Sequence, residues 1–308
     1  YVWKSKGRKM FKGIIIAVIG AMAYGFISLF TKNLVNLSVT SDTILVSRFL
    51  IIFLVIGAYL SVRKKLVKPT KSQVKDLLIY GVIGYGGAIF LLAESYIFMP
   101  MSQATMIHFS YPLFVALFMV VFYKEKMTGV KAIALVLTCL GIAFLMEFNF
   151  TVNPVGMLIA LLSGAAFGLY MVSVSESSIK ELDPLNLLFY LALVVVLVFG
   201  AWGMIKGELH LVSLESAAYL SMLGVAVLSI IGIGFSTVAI RAIGPTYAAM
   251  ICVLEPVVAL LCGVVIFREP LTAYSFLGSL MMFAVILLIA FEGYFRKKKS
   301  ERGNNNGN

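Results

Sequence analysis

The chain has 308 residues, 61% of them hydrophobic and 13% charged, with a formal net charge of +11 and a mean hydropathy of +1.01. Soluble domains average about 45–50% apolar and about 25% charged residues, so these proportions exclude a water-soluble globular protein. The three cysteines, Cys139, Cys252 and Cys262, all lie in apolar runs, which leaves no disulfide framework and no CxxC metal or redox site.

A membrane-spanning helix needs roughly 20 mostly apolar residues. Ten such segments follow one another along the chain: 13–31, 43–62, 77–98, 102–122, 129–146, 154–175, 185–204, 216–238, 246–267 and 271–291. The connections are too short to hold a separate soluble domain. No stretch alternates at strand length, so a β-barrel is excluded. The predicted fold class is an all-α integral membrane protein of ten transmembrane helices.

At the N-terminus, Lys9 and Lys12 precede the first apolar run, and Ala21-Met22-Ala23 resembles a signal-peptide cleavage site. The run continues to Phe30, however, and a retained span fits it better. Met10, the first methionine, is the candidate natural start. Residues 1–12 form a cytoplasmic N-terminal segment. Residues 292–308 form a cytoplasmic basic tail, and its end, 303–308 (GNNNGN), reads as disordered.

Basic residues orient the bundle. Of the 25 Lys and Arg, 21 fall on the side of the two termini, three (Lys32, Lys206 and Arg268) fall on the other, and Arg48 lies within a span. The positive-inside rule puts both termini in the cytoplasm of a multi-pass plasma-membrane protein. This pattern does not point to nucleic acid as a partner. The clusters 63–65 (RKK) and 296–299 (RKKK) abut helix ends, where they anchor helices and meet anionic lipid.

Offset by 144 residues, the sequence aligns with itself. Gly20-Ala21 meets Gly164-Ala165, and Ala104, Met106 and Pro112 meet Ala248, Met250 and Pro256. The match continues through Leu117/Leu261, Val120-Val121/Val264-Val265, Glu125/Glu269 and Thr128/Thr272. Each half, 13–146 and 154–291, holds five helices. An odd number turns the second half over, giving two inverted five-helix repeats. Such repeats place a substrate site near the midplane, between halves that rock to give alternating access.

The paired segments 104–128 (ATMIHFSYPLFVALFMVVFYKEKMT) and 248–272 (AAMICVLEPVVALLCGVVIFREPLT) resemble the EamA-type domains of the drug/metabolite transporter superfamily. The resemblance covers almost the whole chain. It implies a central cavity lined by helices 1–4 and 6–9, with helices 5 and 10 at the periphery. The substrates it implies range over amino acids, sugars, nucleotide precursors and drugs. One departure stands out: Tyr111 occupies the position where the second half carries Glu255.

Four charged side chains fall within the spans: Arg48, Glu94, Lys131 and Glu255. Intramembrane charges are costly and usually face a cavity or a partner. Lys131 lies at a helix end and is expected to snorkel to water. Glu255 sits near the middle of span 9, followed by Pro256, whose missing N–H loosens the helix. It is a candidate proton carrier or counter-charge for a cationic group; the alternative is a glutamate kept neutral and bonded between helices.

Arg48 and Glu94 lie about 7 Å and about 10 Å outward of their span centres, at 1.5 Å rise per residue, so an ion pair acting as lock or gate is expected; if unpaired, Arg48 is a candidate to bind a carboxylate through its planar fork. His108 and Tyr111 fall one turn apart near the symmetry position of Glu255. With Tyr24, Ser28, Tyr85, Tyr170 and Ser236 they are candidates for an aromatic, hydrogen-bonding wall; packing alone is the alternative reading for each. Pro112 and Pro256 are candidate helix bends. The glycines Gly81, Gly84, Gly86, Gly87, Gly232 and Gly234 read as packing and hinge elements.

These features point to a secondary active transporter of a small organic metabolite, an amino acid, amine or related compound, with export favoured over import. Protons are a candidate coupling ion. No cofactor and no metal are expected, the partners are substrate and membrane lipid, and the sequence leaves the oligomeric state open, a monomer being compatible with it. The alternatives are a channel or a membrane-embedded enzyme of the same fold. With two histidines, no HExxH and no visible base–nucleophile pair, the sequence offers no catalytic constellation.

Overall fold

The computed structural model describes residues 2–147, 153–211, 214–268 and 271–305, and the regular structure in them is helical throughout. Capping chemistry explains where many of the helices begin. Thr40, Thr70, Thr128, Asn153 and Asp183 each precede a helix and accept a hydrogen bond from a backbone N–H of its first turn. Thr70 and Gln73 complete a reciprocal capping box.

The first two crossings, α1 (Val2–Asn36) and α2 (Ser41–Val62), are unbroken. The third joins α3 (Lys71–Leu78) to α4 (Gly87–Ser95) through a π-helical stretch, Ile79–Gly86. The fourth joins α5 (Met101–His108) to α6 (Tyr111–Tyr123), and α7 (Gly129–Leu145) is the fifth. The second half comprises α8 (Pro154–Glu176), α9 (Pro184–Lys206), α10 (Ser216–Ile243), α11 (Pro245–Cys252) joined to α12 (Leu254–Phe267), and α13 (Ala273–Asn305). Among the described residues nine crossings are long and apolar enough to span a bilayer, and α7, with 17 residues, is a shorter tenth.

The 144-residue offset reappears in the backbone. The helices α5 and α11 begin at Met101 and Pro245 and stop at His108 and Cys252. Left-handed residues, Lys124 at φ 51° and Arg268 at φ 55°, close α6 and α12. Beyond them the Thr128 and Thr272 hydroxyls accept from the N–H groups of Lys131 and Ser275. Glu269, the partner of Glu125 in the repeat, lies outside the described residues.

Packing follows the same symmetry. The first helix of each half crosses into the other: α1 packs on α10 and α12, while α8 packs on α4 and α6. The pairs α2–α9 and α7–α13 join equivalent helices. Exchanging the halves maps this set of contacts onto itself, as a pseudo-twofold axis requires, and five crossings per half make the repeats inverted. Large apolar side chains such as Leu54, Val121, Ile205 and Val265 remain exposed on the outside of the bundle, where lipid tails replace water.

Three expectations need correction. The last helix runs on to Asn305, so Gly303–Asn305 is helical; residues 306–308 lie outside the described residues. Lys and Arg are good helix formers and no proline interrupts the basic run, so the helix has no local reason to stop at 291. At the other end, α1 begins at Val2, ahead of the expected residue 13. Lys131 does not snorkel: it is 6% exposed, ion-paired with Glu125, and lies 4.8 Å from the centroid of the Tyr247 ring. A buried ammonium with a carboxylate at hand pairs with it instead of reaching for water.

Candidate functional site

The breaks in the fourth and ninth crossings build the centre of the molecule. Proline lacks an N–H, so Pro112 and Pro256 cannot bond the carbonyls of His108 and Cys252, four residues earlier. The helix ends at those residues, and α6 and α12 restart carrying Tyr111 and Glu255. Glycines let the first helix of the opposite half close in. Gly25 of α1 sits against the Glu255 carbonyl and Val258; Gly168 of α8 sits against the Tyr111 carbonyl and Phe114. Glu255 and Tyr111, like Val258 and Phe114, are related by the same repeat, and the two glycines fall one position out of that register.

Between them lies a narrow cavity of about 20 Å³, room for about one water. Its lining includes Tyr24, Tyr111, Phe167, Tyr170, Ser236 and Glu255. Phe167 packs edge-on against Tyr111, with centroids 4.9 Å apart, and Tyr170 lies 6.0 Å from Phe167. The Tyr170 hydroxyl is buried without a hydrogen-bond partner. Among the described residues the Glu255 carboxylate makes neither a hydrogen bond nor an ion pair. Thr237 and Cys252, which the sequence reading did not single out, also line the cavity, and the Cys252 thiol lies 3.8 Å from the Ser236 hydroxyl.

Three of the predicted wall residues are not among those lining this cavity. His108 Nδ1 lies 2.7 Å from the Ser163 hydroxyl, which donates in turn to the Ala88 carbonyl at 2.7 Å. That chain ties α5, α8 and α4 together, and it assigns the ring proton to Nδ1. Tyr85 packs behind Tyr170, centroids 4.9 Å apart. The Ser28 hydroxyl donates to the Gly25 carbonyl within its own helix, at 2.7 Å. The third-crossing glycines serve close packing: Gly84 abuts Tyr170, and Gly86 abuts Phe199. In α10, Gly232 lies under the Tyr24 ring, whereas Gly234 faces open space.

A larger hollow, about 440 Å³, opens at the end of the bundle that carries Lys206. Its volume falls within the range of about 300–1,000 Å³ usual for small-molecule sites. Arg48 and Glu94 both line it, together with Asp42, Tyr96, Lys206 and Glu208. The expected Arg48–Glu94 pair is absent from this conformation. Glu94 instead pairs with Lys206 at 3.2 Å, both about one-third exposed, so neither charge has to leave water fully. Arg48 makes no ion pair among the described residues. Its Nε is buried without a hydrogen-bond partner, and its guanidinium carbon lies over the Phe49 ring, 5.3 Å from the centroid. Phe49 packs edge-on against Tyr85, which lies behind Tyr170, so Arg48 stands on the side of the vestibule that faces the central cavity.

The opposite end is drawn shut across the two halves. Thr246 donates to Glu125 at 2.6 Å, and the Ser178 hydroxyl and N–H donate to Asp76 at 2.6 and 2.9 Å. Nearby, Arg241 donates to the carbonyls of Leu182 and Ile179 at 2.6 and 3.1 Å. No group of His, Cys, Asp and Glu that could hold a metal ion occurs among the described residues.

Ten apolar crossings in two pseudo-symmetric halves, meeting at a central cavity that holds one carboxylate, define a multi-pass membrane protein of the paired-repeat transporter class. The particular lineage follows from comparison. The chain belongs to the EamA-like transporter family, which matches residues 11–147 and 154–291, and so to the drug/metabolite transporter superfamily. Among solved structures 28 chains match. One of them, described only as "Crystal structure of protein", is 14% identical, covers 92% of this chain and 98% of its own, and superposes with a TM-score of 0.75. At that identity it speaks for the fold alone. No curated protein matches the chain.

Proposed function

We propose that the protein is a secondary active transporter that exports a small organic metabolite across the cytoplasmic membrane, in exchange for protons, by alternating access. The observation that carries this reading is the inequality of its two ends. A vestibule of about 440 Å³ reaches inward from the Lys206 end, while the Arg241 end is tied shut between the halves. Inverted repeats rock about a fixed midplane site, so the mirror conformation is the same packing with the ends exchanged. The basic-residue bias puts the termini in the cytoplasm and the vestibule outside.

Glu255 is the group on which coupling turns. An ionised carboxylate among aromatic and apolar side chains is costly, so it carries a proton or faces a positive charge. Alternation between those two partners, one loaded on each side, drives substrate outward as protons return inward. The test is Glu255→Gln in proteoliposomes, since the amide keeps shape and hydrogen bonding. Proton-driven accumulation should be abolished while exchange of labelled substrate at equal pH persists. Unchanged transport in both assays removes Glu255 from the mechanism. Loss of both together makes it a binding group without a coupling role.

A further inference from the structure

We infer that the central cavity takes an organic cation, an amine or quaternary ammonium that carries no carboxylate of its own, with Glu255 as counter-charge and the rings of Tyr24, Tyr111, Phe167 and Tyr170 around it. The inference rests on the transport reading above and names its substrate class. Glu255 is the one charged side chain in the cavity lining, and it is an acid; the remaining polar groups there are hydroxyls and a thiol. Its carboxylate lacks any hydrogen bond or ion pair among the described residues, so a bound cation supplies what the fold leaves missing. Aromatic faces attract cations through the ring quadrupole and tolerate the methyl groups of a quaternary ammonium.

The approach to the cavity favours the same charge. Asp42, Glu94 and Glu208 line the vestibule against Arg48 and Lys206, and Lys206 is already engaged with Glu94. The one acid in excess makes the mouth weakly negative, which favours cations over free carboxylates. Arg48 then stands at the floor, on the side that faces the cavity, with no ion pair among the described residues. A cation that enters the cavity has to pass it. A substrate carboxylate would meet no cationic group in the cavity lining itself. The cavity now holds about one water, so displacement of Arg48 and widening of the cavity go together.

Three probes of one shape separate the charge classes: choline, neohexyl alcohol (its uncharged carbon isostere) and glycine betaine (its carboxylate-bearing relative). Binding to the purified full chain is measured by equilibrium dialysis with radiolabelled probes. Choline should bind at least tenfold tighter than either of the others. Glu255→Gln should weaken choline more than tenfold and leave neohexyl alcohol unchanged, and Arg48→Gln should tighten choline. Tyr170→Phe should stay within threefold of the wild type, while Tyr170→Leu, which removes the ring, should lose more than tenfold.

Betaine binding best, and lost in Arg48→Gln, overturns the inference in favour of a zwitterion site. Equal binding of all three probes, or no choline binding by a protein that melts cooperatively, also overturns it. Alternating access is read without any ligand by labelling Cys252 with impermeant thiol reagents from each side, in a Cys139→Ser, Cys262→Ser background. Labelling from both sides without choline binding sinks the substrate class alone. Labelling from one side only, in every condition, sinks the transport reading.

Discussion

At the scale of single residues, the charges within the membrane divide by how much water they keep. Glu94 and Lys206 meet where both remain about one-third exposed, so their pair adds little. Exposed pairs contribute about 0.2–1 kcal/mol, and distant charges couple within about 0.3–0.5 kcal/mol. A double-mutant cycle on thermal denaturation in detergent should therefore give about 0.2–1 kcal/mol for Glu94/Lys206. For Glu94/Arg48 it should give a coupling no larger than the scatter. A larger Glu94/Arg48 term would mean that those two pair in the dominant solution conformation. Lys131 is the contrasting case: buried, it needs Glu125, and removing either partner alone strands a charge. Its burial was not legible in the sequence, because snorkelling and pairing predict the same residue type at the same helix end.

Among the elements, the informative ones are the two broken crossings. Each break follows from a proline that cannot complete the helical ladder, and each is held by a glycine on the helix that packs across it. A Cβ added at Gly25 would fall 2.4 Å from the Val258 Cβ and 2.9 Å from the Glu255 carbonyl oxygen. At Gly168 the nearest atoms would be the Phe114 Cβ at 3.1 Å and the Tyr111 oxygen at 3.3 Å. Overpacking of this kind costs about 1–3 kcal/mol. Gly25→Ala should therefore lower the melting temperature more than Gly168→Ala. By contrast Gly234 has open space around its missing Cβ, and alanine there should stabilise by up to about 1 kcal/mol through helix propensity. Any other order of the three melting temperatures contradicts the packing described. Pro112 and Pro256 were readable as bends from the sequence; the glycines that seat them were readable only as small residues.

The whole molecule presents two ends in different states, and the contact that distinguishes them bridges the halves. Thr246, 1% exposed, donates to Glu125 and joins the start of α11 to the end of α6. A hydrogen bond to a charged group is worth about 1.5–3 kcal/mol. Thr246→Val keeps the shape and deletes the bond. If the contact exists only in the conformation with the Lys206 end open, the variant shifts the conformational equilibrium about ten- to hundredfold toward the opposite one. Labelling of Cys252 by an impermeant maleimide should then speed up from the Arg241 end and slow from the Lys206 end. Equal rates for variant and wild type would remove the clasp from the gate.

The sequence by itself determined the membrane class, the number of crossings, the inverted repeat and the two bends. These depend on local quantities: runs of apolar residues long enough for a bilayer, an odd crossing count per repeat, and a missing N–H at Pro112 and Pro256. It also picked out Glu255, because a carboxylate is conspicuous in an apolar run wherever it points. The tertiary structure alone decided which aromatic residues share a cavity with it. Tyr24, Tyr111 and Tyr170 line that cavity, whereas Tyr85 packs behind Tyr170 and His108 bonds to Ser163. It also decided that Glu94 takes Lys206 rather than Arg48. A helical segment fixes how deep a side chain lies but leaves open which neighbour it faces, since that depends on the rotation of each helix against helices distant in the chain. Pairing of charges and membership of a cavity are both properties of that rotation.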